Sequence, residues 1–140
     1  MNTQTDKIEI ALNLVNKTSL IVKRLDSTLG SIHGSGLTEY LVLNVLSSIP
    51  THSLRRIDIA ESLGKTASGI TRVLLPMEKT GLVSKATKER DARVSLVKIT
   101  EAGATIFKDA QITMAQKCTQ IFNNWSEEEV QLVKSAIGKI

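Results

Sequence analysis

The chain has 140 residues, a formal net charge of +4 and 41% hydrophobic residues, enough apolar content for one core and too much for disorder. No apolar run approaches the roughly 18 residues of a membrane span. A single cysteine, Cys118, excludes an intrachain disulfide, and the polar, acidic start Met-Asn-Thr-Gln-Thr-Asp is unlike a secretory signal, so a cytoplasmic location is expected.

The first segment, about Asp6 to Ile32, reads as a long helix. Ile8, Val15, Val22 and Leu29 recur every seven residues, with Ala11, Leu25 and Ile32 beside them and Ile10, Leu14 and Ile21 off the stripe. Apolar residues on more than one face ask for cover from a partner chain. Gly34-Ser35-Gly36 breaks the chain, and Leu37 to Ser48 forms the next helix, with Leu37, Tyr40, Leu41, Val45 and Leu46 at helical spacing and Pro50 beyond its end.

The spacing then predicts a helix from Ser53 to Gly64, with Ser53 as N-cap, Ile57, Ala60 and Leu63 inward and Gly64 at the turn. A second helix follows from Thr66 to Thr80, capped by Thr66 or Ser68, with Ile70, Val73, Leu74 and Met77 inward. Ser68, Thr71 and Arg72, with the side-chain-free Gly69, are left on its outer N-terminal face. Small polar residues and one arginine suit a helix that enters a major groove. Pro76 interrupts this helix without ending its apolar spacing.

Leu82 to Ile99 reads as a hairpin. Strands Leu82–Thr87 and Arg93–Ile99 flank a charged tip, Lys88-Glu89-Arg90-Asp91-Ala92. An arginine at such a tip reaches a minor groove, whereas Asp91, which repels phosphate, suits holding a neighbouring arginine or the turn. Thr100 caps a helix of about Glu101 to Trp125, striped by Phe107, Ala110, Met114, Cys118, Ile121 and Trp125. A capping box, Ser126 to Glu129, opens a last helix edged by Val130, Val133, Ile137 and Ile140.

Charge follows the same division. Residues 1–50 are neutral and residues 101–140 carry −1, while residues 51–100 hold ten basic and five acidic side chains, a net of +5. A positive excess confined to two short helices and a hairpin fits either a solvated charged face or the footprint of a polyanion partner, and the two-helix pattern favours the second. No catalytic constellation, cofactor motif or metal-ligand spacing stands out, His33 and His52 are isolated, and an enzyme is not expected.

Three passages resemble the MarR (multiple-antibiotic-resistance regulator) family of winged helix-turn-helix regulators. Ile57-Asp58-Ile59-Ala60-Glu61-Ser62-Leu63-Gly64 resembles its first motif helix. Thr66 to Arg72, continuing through Met77-Glu78-Lys79-Thr80-Gly81-Leu82-Val83, resembles the recognition helix and its exit. Arg90-Asp91-Ala92-Arg93 through Thr100-Glu101-Ala102-Gly103 resembles the wing signature. The resemblance implies a mainly α fold with a small β-hairpin wing: dimerisation helices over 6–33 and 101–140 around a DNA-binding lobe over 37–100. It implies a homodimeric repressor that reads a pseudo-palindromic operator in double-stranded DNA. The residues expected at DNA are Arg55, Thr66, Ser68, Gly69, Thr71, Arg72, Lys88, Arg90, Asp91 and Arg93, with Arg93 in the minor groove steadied by Asp91. Family analogy also suggests a pocket for a small aromatic effector near Lys17, Arg24, Tyr40 and Asn44. Cys118, on the apolar stripe far from the N-terminal end, departs from the redox-sensing branch and reads as core. The competing class is a winged-helix protein-interaction module without sequence-specific DNA binding.

Overall fold

The computed structural model describes residues 2–88 and 91–140, with the side chains of 87, 88 and 91–94 outside the description. Among the described residues the chain order is α1 (Thr3–His33), α2 (Leu37–Ser48), β1 (Ser53–Arg55), α3 (Arg56–Ser62), α4 (Ala67–Lys79), β2 (Val83–Lys88), β3 (Asp91–Ile99), α5 (Glu101–Ile121) and α6 (Glu127–Ile137). The winged-helix layout with helical arms is the expected one.

The core of the lobe gathers α2, α3, α4 and the first turns of α5. Val42, Leu43 and Leu46 meet Ile59, Ala60, Ile70, Leu74, Met77, Leu82, Val83 and Phe107. Val42 and Leu43 lie off the stripe read from the sequence, because α2 is enclosed on two sides. A smaller cluster of Leu29, Leu37 and Ala110 ties the end of α1 to α2 and α5, and Tyr40 packs against both clusters. Asp26, on α1, accepts the Leu37 backbone N–H at 2.8 Å, so a side chain of one helix caps the next.

The stretch from Ser53 corrects the sequence expectation. Ser53 is not a helix cap: Ser53–Arg55 form β1, which pairs antiparallel with Lys98–Leu96 of β3. The sheet order is β1-β3-β2, so β3 is central. Helix α3 then starts at Arg56, which turns Ile57 outward at 57% exposure and puts Ile59 in the core in its place. The hairpin is also longer than expected, with Lys88 still paired to Asp91 beyond a register shift at Thr87/Lys88. Helix α5 stops at Ile121, short of Trp125.

Two motifs gain physical reasons. Gly64 ends the α3 turn at φ 62°, a left-handed conformation that costs glycine little. In Thr100-x-x-Gly103, the Thr100 hydroxyl donates to the Gly81 and Leu82 carbonyls at 2.5 and 3.0 Å and accepts the Gly103 N–H at 3.0 Å. A Cβ on Gly103 would run into the Leu82 carbonyl. Glycine therefore lets the first turn of α5 lie directly on the entry to the wing.

The arms are thinly covered. Leu29 is the one buried residue described on the 31-residue α1, and Ile8, Ile10, Leu12, Val15, Leu20 and Val22 are exposed. Helix α6, opened by the expected capping box between Ser126 and Glu129, has no buried residue described, and its Leu132 is 71% exposed.

Candidate nucleic-acid interface

Helix α4 supplies the centre of the site. The Thr66 hydroxyl accepts the Gly69 N–H at 3.1 Å, which fixes the helix start and occupies one of the two candidate caps. Ser68 is exposed with its hydroxyl 3.4 Å from that of Thr66. Thr71 is half-buried and donates its hydroxyl to the Ala67 carbonyl at 2.9 Å, leaving lone pairs to accept and a methyl group free of the helix backbone. Arg72 is exposed and makes no ion pair among the described residues. The exposed face continues along the helical spacing to Leu75 and Lys79.

Pro76 does not break this surface. The helix runs unbroken from Ala67 to Lys79, and the Thr80 backbone N–H and hydroxyl both donate to the Pro76 carbonyl at 3.0 Å. Pro76 is exposed, so the Arg72 carbonyl that loses its partner lies on the solvated side, where water replaces the missing donor.

Arg55 differs from expectation in its electrostatics. Its guanidinium grips Asp58 with two hydrogen bonds, Nε to Oδ2 at 2.8 Å and a terminal nitrogen to Oδ1 at 3.0 Å. These bonds raise the Arg55 pKa and hold the Asp58 carboxyl below its ordinary range. The pair sits at the junction of β1 and α3 and is locally neutral. Lys85 of β2 similarly faces Glu78 of α4 at 4.0 Å. The positive excess of the described lobe therefore rests on Arg56, Lys65, Arg72, Lys79 and Lys98, none of them ion-paired among the described residues.

Between α4, the start of α3 and the wing lies a cleft of about 540 Å³. Arg56 and Ile57 form one wall, Thr71, Leu75 and Glu78 the helix wall, and Lys85 the sheet wall. Sequence reasoning missed Ile57 as a surface residue and missed Leu75 altogether. Leu75 was legible: it stands seven residues after Ser68 and three after Arg72, on the same face.

Arg90 lies outside the described residues, as do the side chains of Lys88, Asp91 and Arg93; the backbone at Lys88, Asp91 and Arg93 belongs to the paired strands of the wing. Of the residues suggested for an effector, Lys17, Arg24 and Asn44 are exposed, while Tyr40 is half-buried and its ring packs tilted against Phe107 at 5.2 Å between centroids. No described hydrogen bond or ion pair joins the four. Burial pushes the Tyr40 phenol up, with the thiol of Cys118 adding to it. Cys118 itself is half-buried. The two histidines are satisfied: His33 Nε2 lies 2.7 Å from the Thr113 hydroxyl and His52 Nδ1 lies 3.3 Å from the Leu46 carbonyl.

Two short helices joined at Gly64, a three-stranded sheet and long flanking helices define a winged helix-turn-helix unit mounted on helical arms. No protein-family model matches the chain. It is 25% identical over 100 residues to the HTH-type transcriptional regulator PrsX of Escherichia coli, a match over 71% of this chain that spans 60% of the relative's length. The transcriptional regulator BldR from Sulfolobus solfataricus superposes with a TM-score of 0.83 at 19% identity, covering 100% of both chains. Sco3205, a MarR family transcriptional regulator from Streptomyces coelicolor solved in complex with DNA, does so at 0.83 and 19%, covering 95% of this chain and 84% of the other. The fold is that of the MarR family regulators, as the three sequence passages implied.

Proposed function

We propose that the protein is a DNA-binding transcriptional regulator of the MarR type, a homodimeric repressor that reads a pseudo-palindromic operator. Helix α4 enters the major groove, and the β2–β3 wing reaches the minor groove with Arg93, steadied by Asp91, while Lys88 and Arg90 meet phosphates. The observation that carries this reading is the outer face of α4. It offers Ser68 and an Arg72 that makes no ion pair among the described residues, beside a capped helix N-terminus and within the segment that holds the protein's positive excess. A module used only for protein contacts has no need of that face.

The arms support a dimer. The chain exposes 10220 Å², whereas a compact chain of its 15.3 kDa exposes roughly 7,100 Å². An excess of roughly 3,000 Å² per protomer, roughly 6,000 Å² over two, with apolar rows on α1 and α6, is of the size that a large obligate dimer interface covers. Two lobes so joined meet two half-sites. The molecule works in the cytoplasm and carries out no catalysis. A small aromatic effector near Lys17, Arg24, Tyr40 and Asn44 would act from the junction of α1, α2 and α5, and thermal-shift screening of aromatic acids tests for it.

The test of the main reading is a mobility-shift titration against the DNA upstream of the chain's own gene, with random duplex as competitor. Preference for the upstream DNA, with affinity falling steeply as salt rises, is expected. Arg72→Ala should weaken it by about 1–3 kcal/mol. Equal binding to random DNA refutes sequence-specific recognition.

A further inference from the structure

The outer face of α4 is not uniformly polar. Leu75 is 50% exposed there, one turn beyond Arg72, although α4 already buries Ile70, Leu74 and Met77. Its side chain is surplus to the core and lines the cleft against the wing. Across that cleft stands a second exposed apolar side chain, Ile57, itself turned out because α3 begins only at Arg56. Thr71 lines the same space, with its hydroxyl bound to the Ala67 carbonyl.

Charge on the rim identifies what would fill the space. Arg56 lines it, the Glu78 carboxylate in its wall is faced by Lys85 at 4.0 Å, and Arg72 and Lys79 flank Leu75 on the exposed face of the helix outside the lining, so the surroundings favour an anionic partner over an apolar peptide or lipid chain. A partner that is anionic along its backbone and offers isolated methyl groups in a groove wide enough for a helix is double-stranded DNA. The methyl in question is the 5-methyl of thymine, the one apolar feature of the major-groove edge. Resting on the reading of α4 as the groove helix, we propose that Leu75, with Ile57 as the opposite wall, is a specificity-determining residue that packs against a thymine 5-methyl group. Arg72 then supplies charge and hydrogen bonds, and Leu75 discriminates thymine from the other bases one turn further along.

The experiment starts from a pool of randomised duplexes from which the wild-type protein selects its preferred sequence. That duplex is resynthesised with 2′-deoxyuridine at each thymine in turn, which removes the methyl and keeps the base pairing. Wild-type protein should lose about fourfold in affinity at one thymine per half-site, the effect of one buried methyl group. Leu75→Ala should bind the thymine and uracil duplexes equally, and Arg72→Ala should bind both more weakly while keeping their ratio. Because Leu75 is half exposed, the alanine variant is expected to fold, and its melting curve checks this. Equal affinity of the wild type for thymine and uracil duplexes overturns the inference, as does a full thymine preference in Leu75→Ala. A selection that enriches no sequence overturns the underlying DNA reading instead.

Discussion

Gly103→Ala tests whether the contact between α5 and the wing is what holds the two halves of the protein together. The added Cβ would meet the Leu82 carbonyl and lie 3.1 Å from Ile99 Cγ1, and both neighbours belong to the sheet entry and exit. The Leu82 carbonyl is backbone and cannot swing aside as a flexible side chain would, so overpacking of this kind costs about 1–3 kcal/mol. Moving α5 away also stretches the hydrogen bonds of Thr100, from its hydroxyl to Gly81 and Leu82 and from its backbone N–H to the Leu82 carbonyl at 3.1 Å. Losing two of them adds about 2 kcal/mol, and the helix propensity of alanine returns about 1 kcal/mol. The net loss is about 2–4 kcal/mol, a melting shift of roughly 6–15 °C for a chain of this size. Thermal unfolding followed by circular dichroism reads this at one fixed protomer concentration. Ala102→Gly, at the exposed neighbouring position, serves as the control, with a loss of no more than about 1 kcal/mol. A Gly103→Ala protein that melts within a degree or two of the wild type refutes the close-contact argument.

Asp58→Asn should unmask Arg55, tighten DNA binding and steepen its salt dependence, by a slope of about 0.9 per lobe. The double variant Arg55→Ala with Asp58→Asn should bind like wild type if the pair is a neutral bystander; weaker binding by the double variant would show that Arg55 itself meets phosphate. Because pairing holds the Asp58 carboxyl below its ordinary value, its contribution is present above that value and is lost only as pH falls through the depressed one. DNA affinity measured from about pH 5 to 8 should therefore show no step due to this pair. Leu132→Glu, at a side chain without cover in the protomer, should leave the fold intact and shift the mass measured by light scattering toward the monomer; an unchanged dimer mass would remove α6 from the interface. Asp26→Ala should cost about 1 kcal/mol in chemical unfolding through loss of the α2 cap, and a smaller change than about 0.3 kcal/mol would mean that water replaces it fully.

Most of the helical architecture was legible because long periodic segments and their caps are local signals. Leu37–Ser48 matches its expected bounds, Thr100 and Ser126 cap the helices they were expected to cap, and Thr66 is the one of two candidates that caps α4. Strand β1 was not legible. Ser53-Leu54-Arg55 is too short to show alternation, and its pairing partner lies more than forty residues away at Leu96–Lys98. A three-residue strand joined directly to a helix reads as the first turn of that helix, and the error carried Ile57 from surface to core. The pairing of Arg55 with Asp58 was hidden for a related reason. Charge counting sees both residues but not that one fork engages the other, so a cation counted toward the DNA face is already matched. The outer face of α4 was readable from spacing, and only the apolar identity of Leu75 kept it from notice there.

The C-terminal arm leaves the winged lobe without a hinge. Strand β3 ends at Ile99, Thr100 caps the next helix, and α5 begins at Glu101 with no linker between. At that junction the Thr100 hydroxyl and Gly103 hold α5 against the Leu82 carbonyl. One turn on, Phe107 enters the core of the lobe, and Ala110 enters the cluster shared with Leu29 of α1 and Leu37 of α2. A further turn along, Thr113 meets His33 at the end of α1. Helix α5 is thus fastened first to the wing, then to the lobe, then to the N-terminal arm, within its first thirteen residues. A change of angle between the arms cannot be absorbed in a flexible joint and must turn the wing and α4 with it.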